Sequence, residues 1–427
     1  MSFGNVPKDL SFSSIAALRS TASKSTNGLF SANIRTVGSL LQYEHSPDAW
    51  VTVQDVPVPA TQLGNSYTLP APIAALSLNL DGSVLAVSLA SVASGSVLSI
   101  LTNTAGFYSQ QAIPLPLDAV GVTTGSVSLS ETGQILAFGS GSDNGGLGAV
   151  WLYANIAGVW TLQGSKITGP GEIGLGNFGS KVSLSGNASL LAVSSSGEGT
   201  SGAAYIFNVQ YLANPVFVTK IVPSPLYPDA VFGSDVNFSA DGSTLAVGAS
   251  SNSSTNGSVF IFTKIQGQGL WTQQAYLPKP AGFTTTYFAY NVSLSADGNI
   301  LAVSSSANGV IYYRSGAQSS GANAPWSSGN LLPLPYDLVG GFNQYSAIIS
   351  QDGNSICTSN TDNNGNVGAS WIFTQGPPET WTQNGPGFVG SGAPIAATVQ
   401  GYSVLSGDGK VVAVQDNSNQ ALLWIFV

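Results

Sequence analysis

The sequence has one histidine, His45, one cysteine, Cys357, and one methionine in 427 residues. Every Ser-His-Asp, Cys-His or histidine-ligated metal mechanism would therefore have to run through His45. That residue stands in Glu44-His45-Ser46-Pro47 and reads as a surface loop histidine. Cys357 has no partner for an intrachain disulfide, and its place in the apolar-alternating stretch from Asn354 to Thr358 reads as a buried thiol packed like a small hydrophobe. Without disulfides the redox compartment stays open. Charge is scarce too, at 7% of residues, with a net charge of −9. The arginines are Arg19, Arg35 and Arg314, and the bases are scattered singly. Neutralising phosphates needs clustered Lys and Arg, so nucleic acid is excluded as a partner, and no polybasic patch serves anionic lipid. No apolar run approaches the ~18 residues of a membrane span, so membrane insertion is not expected. The first residues, Met1 to Asp9, show no basic segment leading into an apolar one, which predicts no Sec-type leader. Retention in a cytoplasm, export by another route, or assembly into a virus particle inside a cell all meet that condition.

What is abundant is glycine, 51 residues, beside 43% hydrophobic residues and many Ser, Asn and Thr. That composition is β-rich with a polar, uncharged surface, suited to crowded assemblies or extracellular exposure. One phrase recurs through it. Leu76-Ser-Leu-Asn-Leu-Asp-Gly-Ser-Val-Leu-Ala-Val87 returns as Val127 to Phe138, Val182 to Val193, Val236 to Val247, Val292 to Val303, Ala347 to Thr358 and Ser403 to Val414. The turn position falls at Gly82, Gly133, Ala188, Gly242, Gly298, Gly353 and Gly409, a period of about 55 residues. Each copy has the form of a β-hairpin: an alternating strand, a turn that is Asp-Gly in five copies and suited to φ > 0, and an apolar strand covered on both faces.

A third, aromatic-rich strand follows each hairpin, as in Ala149-Val-Trp-Leu-Tyr153 and Val259-Phe-Ile-Phe262. A fourth begins at Phe107, Trp160, Phe217, Trp271, Trp326 and Trp381. Four strands per unit make a propeller blade. The seventh unit lacks its fourth strand at the C-terminal end, and the segment Ala49-Trp50-Val-Thr-Val-Gln54 through Pro59 reads like the other fourth strands. The expectation is an all-β, seven-bladed propeller over residues 46–427, closed by a clasp strand around Trp50, with residues 1–45 as an N-terminal arm or adaptor.

Phe178-Gly-Ser-Lys-Val-Ser-Leu-Ser185 and Phe232-Gly-Ser-Asp-Val-Asn-Phe-Ser239, each followed by an apolar hairpin arm and a Tyr-Ile-Phe or Phe-Ile-Phe strand, resemble the FG-GAP repeats of integrin-α-like propellers and their bacterial and viral relatives. The resemblance covers residues 46–427 and implies the fold; propellers host unrelated activities. Calcium-binding members of that family carry alternating carboxylates in an Asp-x-Asp-x-Asp-Gly loop. Here the turns hold one carboxylate each, at Asp81, Asp241 and Asp297, and read as turn formers. Asp362, Asn364 and Asn366 come nearest to a metal loop, and no cofactor is expected. The stretch from Asp9 to Tyr43 is similar to the short N-terminal adaptors of phage tailspikes and other virion surface proteins; an arm packed over the propeller is the alternative.

Sialidase chemistry is excluded by the arginine inventory and by the absence of a Ser-x-Asp-x-Gly-x-x-Trp box. Paired carboxylates for glycoside hydrolysis remain open at Asp118, Glu172, Asp229 and Asp337. Loop aromatics with neighbouring amides, Tyr287, Tyr290 and Tyr345, are candidate partner-binding residues, able to stack on sugars and bond hydroxyls. The expected function is a non-catalytic structural or attachment protein on a virion surface, with other virion or surface proteins, or a host glycan or receptor, as partners. The alternatives are a bacterial cell-surface or secreted propeller that binds carbohydrate or protein, and a glycan-active enzyme using loop carboxylates.

Overall fold

Each repeat copy closes through its own turn side chains. In the copy from Val236 to Val247, Ser239 Oγ donates to Asp241 Oδ1 at 2.6 Å and the Ser243 N–H donates to the same oxygen at 2.9 Å. Gly242 turns the chain with φ +67°, in the region open to glycine. The hairpin then zips with Val236 opposite Val247. The same serine-to-aspartate bond recurs at Asp297, Asp352 and Asp408, so these carboxylates are occupied as turn formers. The second strand of each hairpin is the deepest: Val84–Leu89, Leu190–Ser195 and Thr244–Ser250 are buried throughout, because neighbouring sheets cover both of their faces.

The computed structural model describes residues 61–427 apart from 65, 91–96, 225–230, 251–256, 265–268, 282–285, 307, 315–324, 339–344, 361–367, 377–378, 392–399 and 417–420, together with three strands between residues 34 and 53. The chain divides into two units, Met1–Pro59 and Ala60–Val427. Ala60–Val427 is a propeller of seven four-stranded antiparallel blades. Blades 1 to 6 each use four strands in chain order, starting with Ile73–Leu78, Ser126–Leu129, Val182–Leu184, Val231–Phe238, Val292–Leu294 and Tyr345–Ile349. Blade 7 takes Gln400–Leu405, Val412–Asp416 and Leu422–Phe426 from the C-terminal end and Tyr67–Thr68 from the N-terminal side. The only helical turn among the described residues is the 3-10 segment Asp143–Gly146, and no helix there is long and apolar enough to cross a membrane.

The ring is thus closed by an N-terminal strand, but not by the one around Trp50. Ala49–Val53 lies in a separate three-stranded sheet with Ile34–Val37 and Leu40–Ser46, where Trp50 pairs with Glu44. His45 lies in the middle strand of that sheet. Pairing with a neighbour a few residues away closes a far smaller loop than pairing with residue 423. The closing strand is Tyr67–Thr68, opposite Leu423 and Leu422, extended by a bridge between Gln62 and Phe426. Backbone bonds from the Thr61 N–H to the Val427 carbonyl and from the Leu63 N–H to the Ile425 carbonyl complete it. Trp326 departs in a milder way: it bridges Arg314, and the paired fourth strand of blade 5 is Asn330–Leu331.

At the hairpin-turn end, backbone bonds link all seven blades in a circle. Leu80 N–H donates to Glu131 O, Glu131 to Gly186, Gly186 to Ala240, Ala240 to Ala296, Ala296 to Gln351 and Gln351 to Gly407. Asp408 N–H returns to Leu80 O at 2.8 Å. This narrows the central channel at one end. Along its wall, hydroxyl or amide oxygens stitch one inner strand to the next: Ser77 accepts from Leu129 N–H, Ser128 from Leu184, Ser183 from Phe238, Asn237 from Leu294 and Ser293 from Ile349. The repeat phenylalanines Phe178, Phe232 and Phe288 are fully buried between blades; Phe232, for example, lies 5.3 Å edge-on from Phe260.

Candidate functional site

The inner strands begin at the end of the channel opposite the turn ring. The residue before each repeat copy is Ala75, Ser126, Lys181, Asp235, Asn291, Ser346 and Tyr402 in turn, so equivalent register places one residue per blade around the mouth. Where repeats agree, residues hold the fold; here they differ. Below them, a cavity of about 270 Å³ runs along the channel between the inner strands.

Two of the mouth residues fasten neighbouring blades. Ser126 Oγ accepts the Val182 N–H at 3.0 Å, and Asp235 Oδ2 accepts the Val292 N–H and Asn291 Nδ2, each at 2.9 Å. Burial pushes the Asp235 carboxyl above its ordinary value, against the nearby positive charge of Lys181 and these donors. The pattern fails at the next interface. The Ala347 N–H donates to Ser304 Oγ at 2.9 Å, leaving Asn291 Oδ1 buried with no hydrogen-bond partner; Ser346 Oγ is likewise buried and unpartnered. Orphaned buried polar atoms are costly and rare enough to mark a site.

Above this ring, side chains from blades 3, 5 and 7 meet across the mouth. Lys181 Nζ stands 5.7 Å from the Tyr290 ring centroid, and the Tyr290 and Tyr402 rings stack at 6.4 Å and 22°. Burial first, then the adjoining Tyr290, raises the Tyr402 hydroxyl. Of the aromatics expected to bind a partner, Tyr290 is therefore central to the mouth and remains 42% exposed. Tyr287, 47% exposed, sits one turn earlier in the same loop at φ +55°, its carbonyl accepting the Tyr290 N–H. The Tyr345 backbone pairs with Asn360 and leads into Ser346. Asp362, Asn364 and Asn366 lie outside the described residues, as does Asp229.

A second cavity, of about 530 Å³, adjoins Lys181 on the same face between blades 1 and 3, with Thr124, Ser142, Asn177, Ser180 and Ser196 among its walls. Lys181 is its only charged lining residue.

Of the carboxylates considered for hydrolysis, Asp118, Glu172 and Asp337 each accept hydrogen bonds from the protein. Asp118 Oδ1 accepts the Trp151 indole N–H at 2.9 Å. Asp337 accepts from Trp371 Nε1, Gln383 Nε2 and the Gly387 N–H. Glu172 accepts from Ser195 Oγ at 2.8 Å, and burial raises its carboxyl. Near it, Glu198 is buried and bonded to Tyr205 Oη, the Ile173 N–H and the Lys220 ammonium; Asp143 holds the equivalent place in blade 2, paired with Lys166 at 2.9 Å. The Cys357 thiol is fully buried, 3.2 Å from Ser403 Oγ, and burial pushes its pKa up to about 12.

Sequence reasoning missed Lys181, Asp235, Asn291 and Tyr402. The available signal was their shared offset, one residue before each repeat copy, where a charged, amide or aromatic side chain replaces the small residues of other blades.

No protein-family model matches the sequence, and no curated protein matches it. Solved structures share the architecture. Hydrazine synthase from Kuenenia stuttgartiensis is 15% identical with a TM-score of 0.54, over 85% of this chain and 98% of that one. The periplasmic gluconolactonase PpgL from Pseudomonas aeruginosa is 15% identical with a TM-score of 0.53, over 79% and 90%. A functionally unknown protein from Desulfotomaculum acetoxidans is 12% identical with a TM-score of 0.53, over 84% and 94%. At these identities the likeness is one of fold, and the fold accommodates enzymes as well as other proteins.

Proposed function

We propose that the chain is a non-catalytic attachment protein of a virus particle, an FG-GAP-like propeller that takes a protein or glycan partner at the channel mouth, with the N-terminal unit joining it to the particle. The observation that carries this reading is the convergence of Lys181, Tyr290 and Tyr402 from three blades on one face, at positions where the repeats diverge. Three further features agree with it. The carboxylates Asp118, Asp337 and Glu172 are each engaged by indole, amide or hydroxyl donors. Charged residues make up only 7% of the sequence. The N-terminal sequence is similar to virion adaptors.

Immunogold labelling of native particles and of the producing cells tests the reading. Label on particles, lost when residues 1–59 are deleted, is the expected result. Label confined to a cell surface or to the medium would replace it with a bacterial surface or secreted binding propeller.

A further inference from the structure

The cavity beside Lys181 has the chemistry of a carbohydrate site with one added demand. Its volume of about 530 Å³ falls in the range of small-ligand pockets, roughly 300–1,000 Å³. Its walls are hydroxyl, amide and small residues, including Thr124, Ser142, Asn177 and Ser196, and no carboxylate lines it. Such walls bond hydroxyls and leave room for a ring. Lys181 supplies the demand. It stands at the junction of this cavity and the channel, lining both, and its ammonium has no hydrogen-bond acceptor among the described residues; its contact is the Tyr290 ring at 5.7 Å. The buried carboxylate of Asp235 feels the charge of Lys181 but makes no ion pair within 4.0 Å with it among the described residues, its Oδ2 accepting from Asn291 and the Val292 N–H. An ammonium held by an aromatic face at the edge of a hydroxyl-lined cavity still has its donors to give, and an ionised oxygen is the strongest acceptor for them.

The geometry points to an acidic sugar, a hexuronate or other carboxylate-bearing pyranose, as the ligand of this cavity, with its carboxylate on Lys181 and its hydroxyls on the Ser, Thr and Asn walls. This rests on the binding role proposed above and names the ligand class for it. The overall charge of −9 does not oppose such a ligand at short range, because repulsion from distant exposed carboxylates is screened beyond about 8 Å in physiological salt.

Calorimetric titration of the full chain with a trigalacturonate and with the neutral trigalactoside tests it. The expected result is binding of the trigalacturonate and little heat from the neutral trisaccharide. Lys181→Met should weaken binding by roughly tenfold to a hundredfold, as for loss of a hydrogen bond to a charged group, while Lys181→Arg retains it. Ser196→Trp, which fills the cavity from its wall without touching charge, should also abolish binding, and melting temperatures equal to the parent's in both variants separate lost contacts from misfolding. Equal affinity for both trisaccharides, or trigalacturonate binding unchanged in Lys181→Met and Ser196→Trp, would overturn the assignment, as would absence of binding by the unaltered chain. The two readings fail separately. Particle labelling without uronate binding removes only the ligand class, and uronate binding without particle labelling removes only the virion role.

Discussion

At the scale of single residues, the repeat explains most side chains and the departures from it explain the rest. Asp337 belongs to the first group. Burial alone would raise its carboxyl, but the Gly387 N–H, Gln383 and Trp371 outweigh that and hold it below its ordinary value. A depressed carboxyl stabilises the fold above the unfolded-state pKa and loses that contribution as pH falls through the folded one. Asp337→Ala leaves a fully buried indole N–H without its acceptor and should cost about 2 kcal/mol, read from urea unfolding at neutral pH, with the difference from the parent shrinking in acid. Glu172 has the opposite sign. Burial, the largest influence, raises its carboxyl, so the folded chain holds the proton more tightly than the unfolded one and stability falls as pH rises through the folded value. Glu172→Gln keeps an oxygen for Ser195 and should melt at or above the parent at pH 7.5 but not at pH 4. Thermal melts at the two pH values decide it. The turn aspartates and buried Cys357 were legible in the sequence, because short-range turn chemistry and strand alternation place them. Lys181, Asp235, Asn291 and Tyr402 were not, because each is ordinary in its own repeat and acquires meaning only beside the others.

At the scale of strands, the hairpins were legible, as were the outer strands at Phe107, Trp160, Phe217, Trp271 and Trp381, while those of blades 5 and 7 were not. Inner strands obey two constraints at once, an apolar face toward each neighbouring blade and a side-chain oxygen for the next backbone N–H, and this fixes their sequence. Ser293→Val removes the acceptor for the Ile349 N–H, a buried bond of 3.2 Å, and should cost about 1 kcal/mol, measured by chemical denaturation. The stitches at this level join blades 1 to 6 but have no counterpart where Ile348 and Val404 face blades 7 and 1. Blade 7 should therefore show the earliest amide exchange of the propeller, and exchange first in blade 3 or 4 would contradict this. Outer strands have one paired edge and partly exposed side chains, so few residues are required of them. Asn330–Leu331 and Tyr67–Thr68 pair over only two residues each, and residues 60–69 contain no tryptophan to announce a strand.

At the scale of the whole molecule, closure depends on that short strand. Leu69 is buried in the core shared with Leu85, Leu423 and Ile425, and Leu63 and Tyr67 pack against it. A chain lacking residues 1–59 should keep the ring and its melting temperature. One lacking residues 1–69 should lose the partner of Leu422–Phe426, melt lower and aggregate through the exposed edge. Indistinguishable melting and solubility of the two truncations would show that the strand does not close the propeller.

The sequence by itself determined the all-β class, seven blades of four strands, the hairpin turns and the buried second strands. Each follows from contacts within one repeat, returned at a constant period, so local chemistry states it seven times over. Only the tertiary structure decided which N-terminal segment completes blade 7, since Ala49–Val53 and Tyr67–Thr68 compete for partners near and far, and loop entropy favours the near one for Trp50. It also decided the mouth. Lys181, Tyr290 and Tyr402 are separated by whole blades of sequence, and nothing short of a closed ring brings an ammonium over one tyrosine and stacks that tyrosine on another.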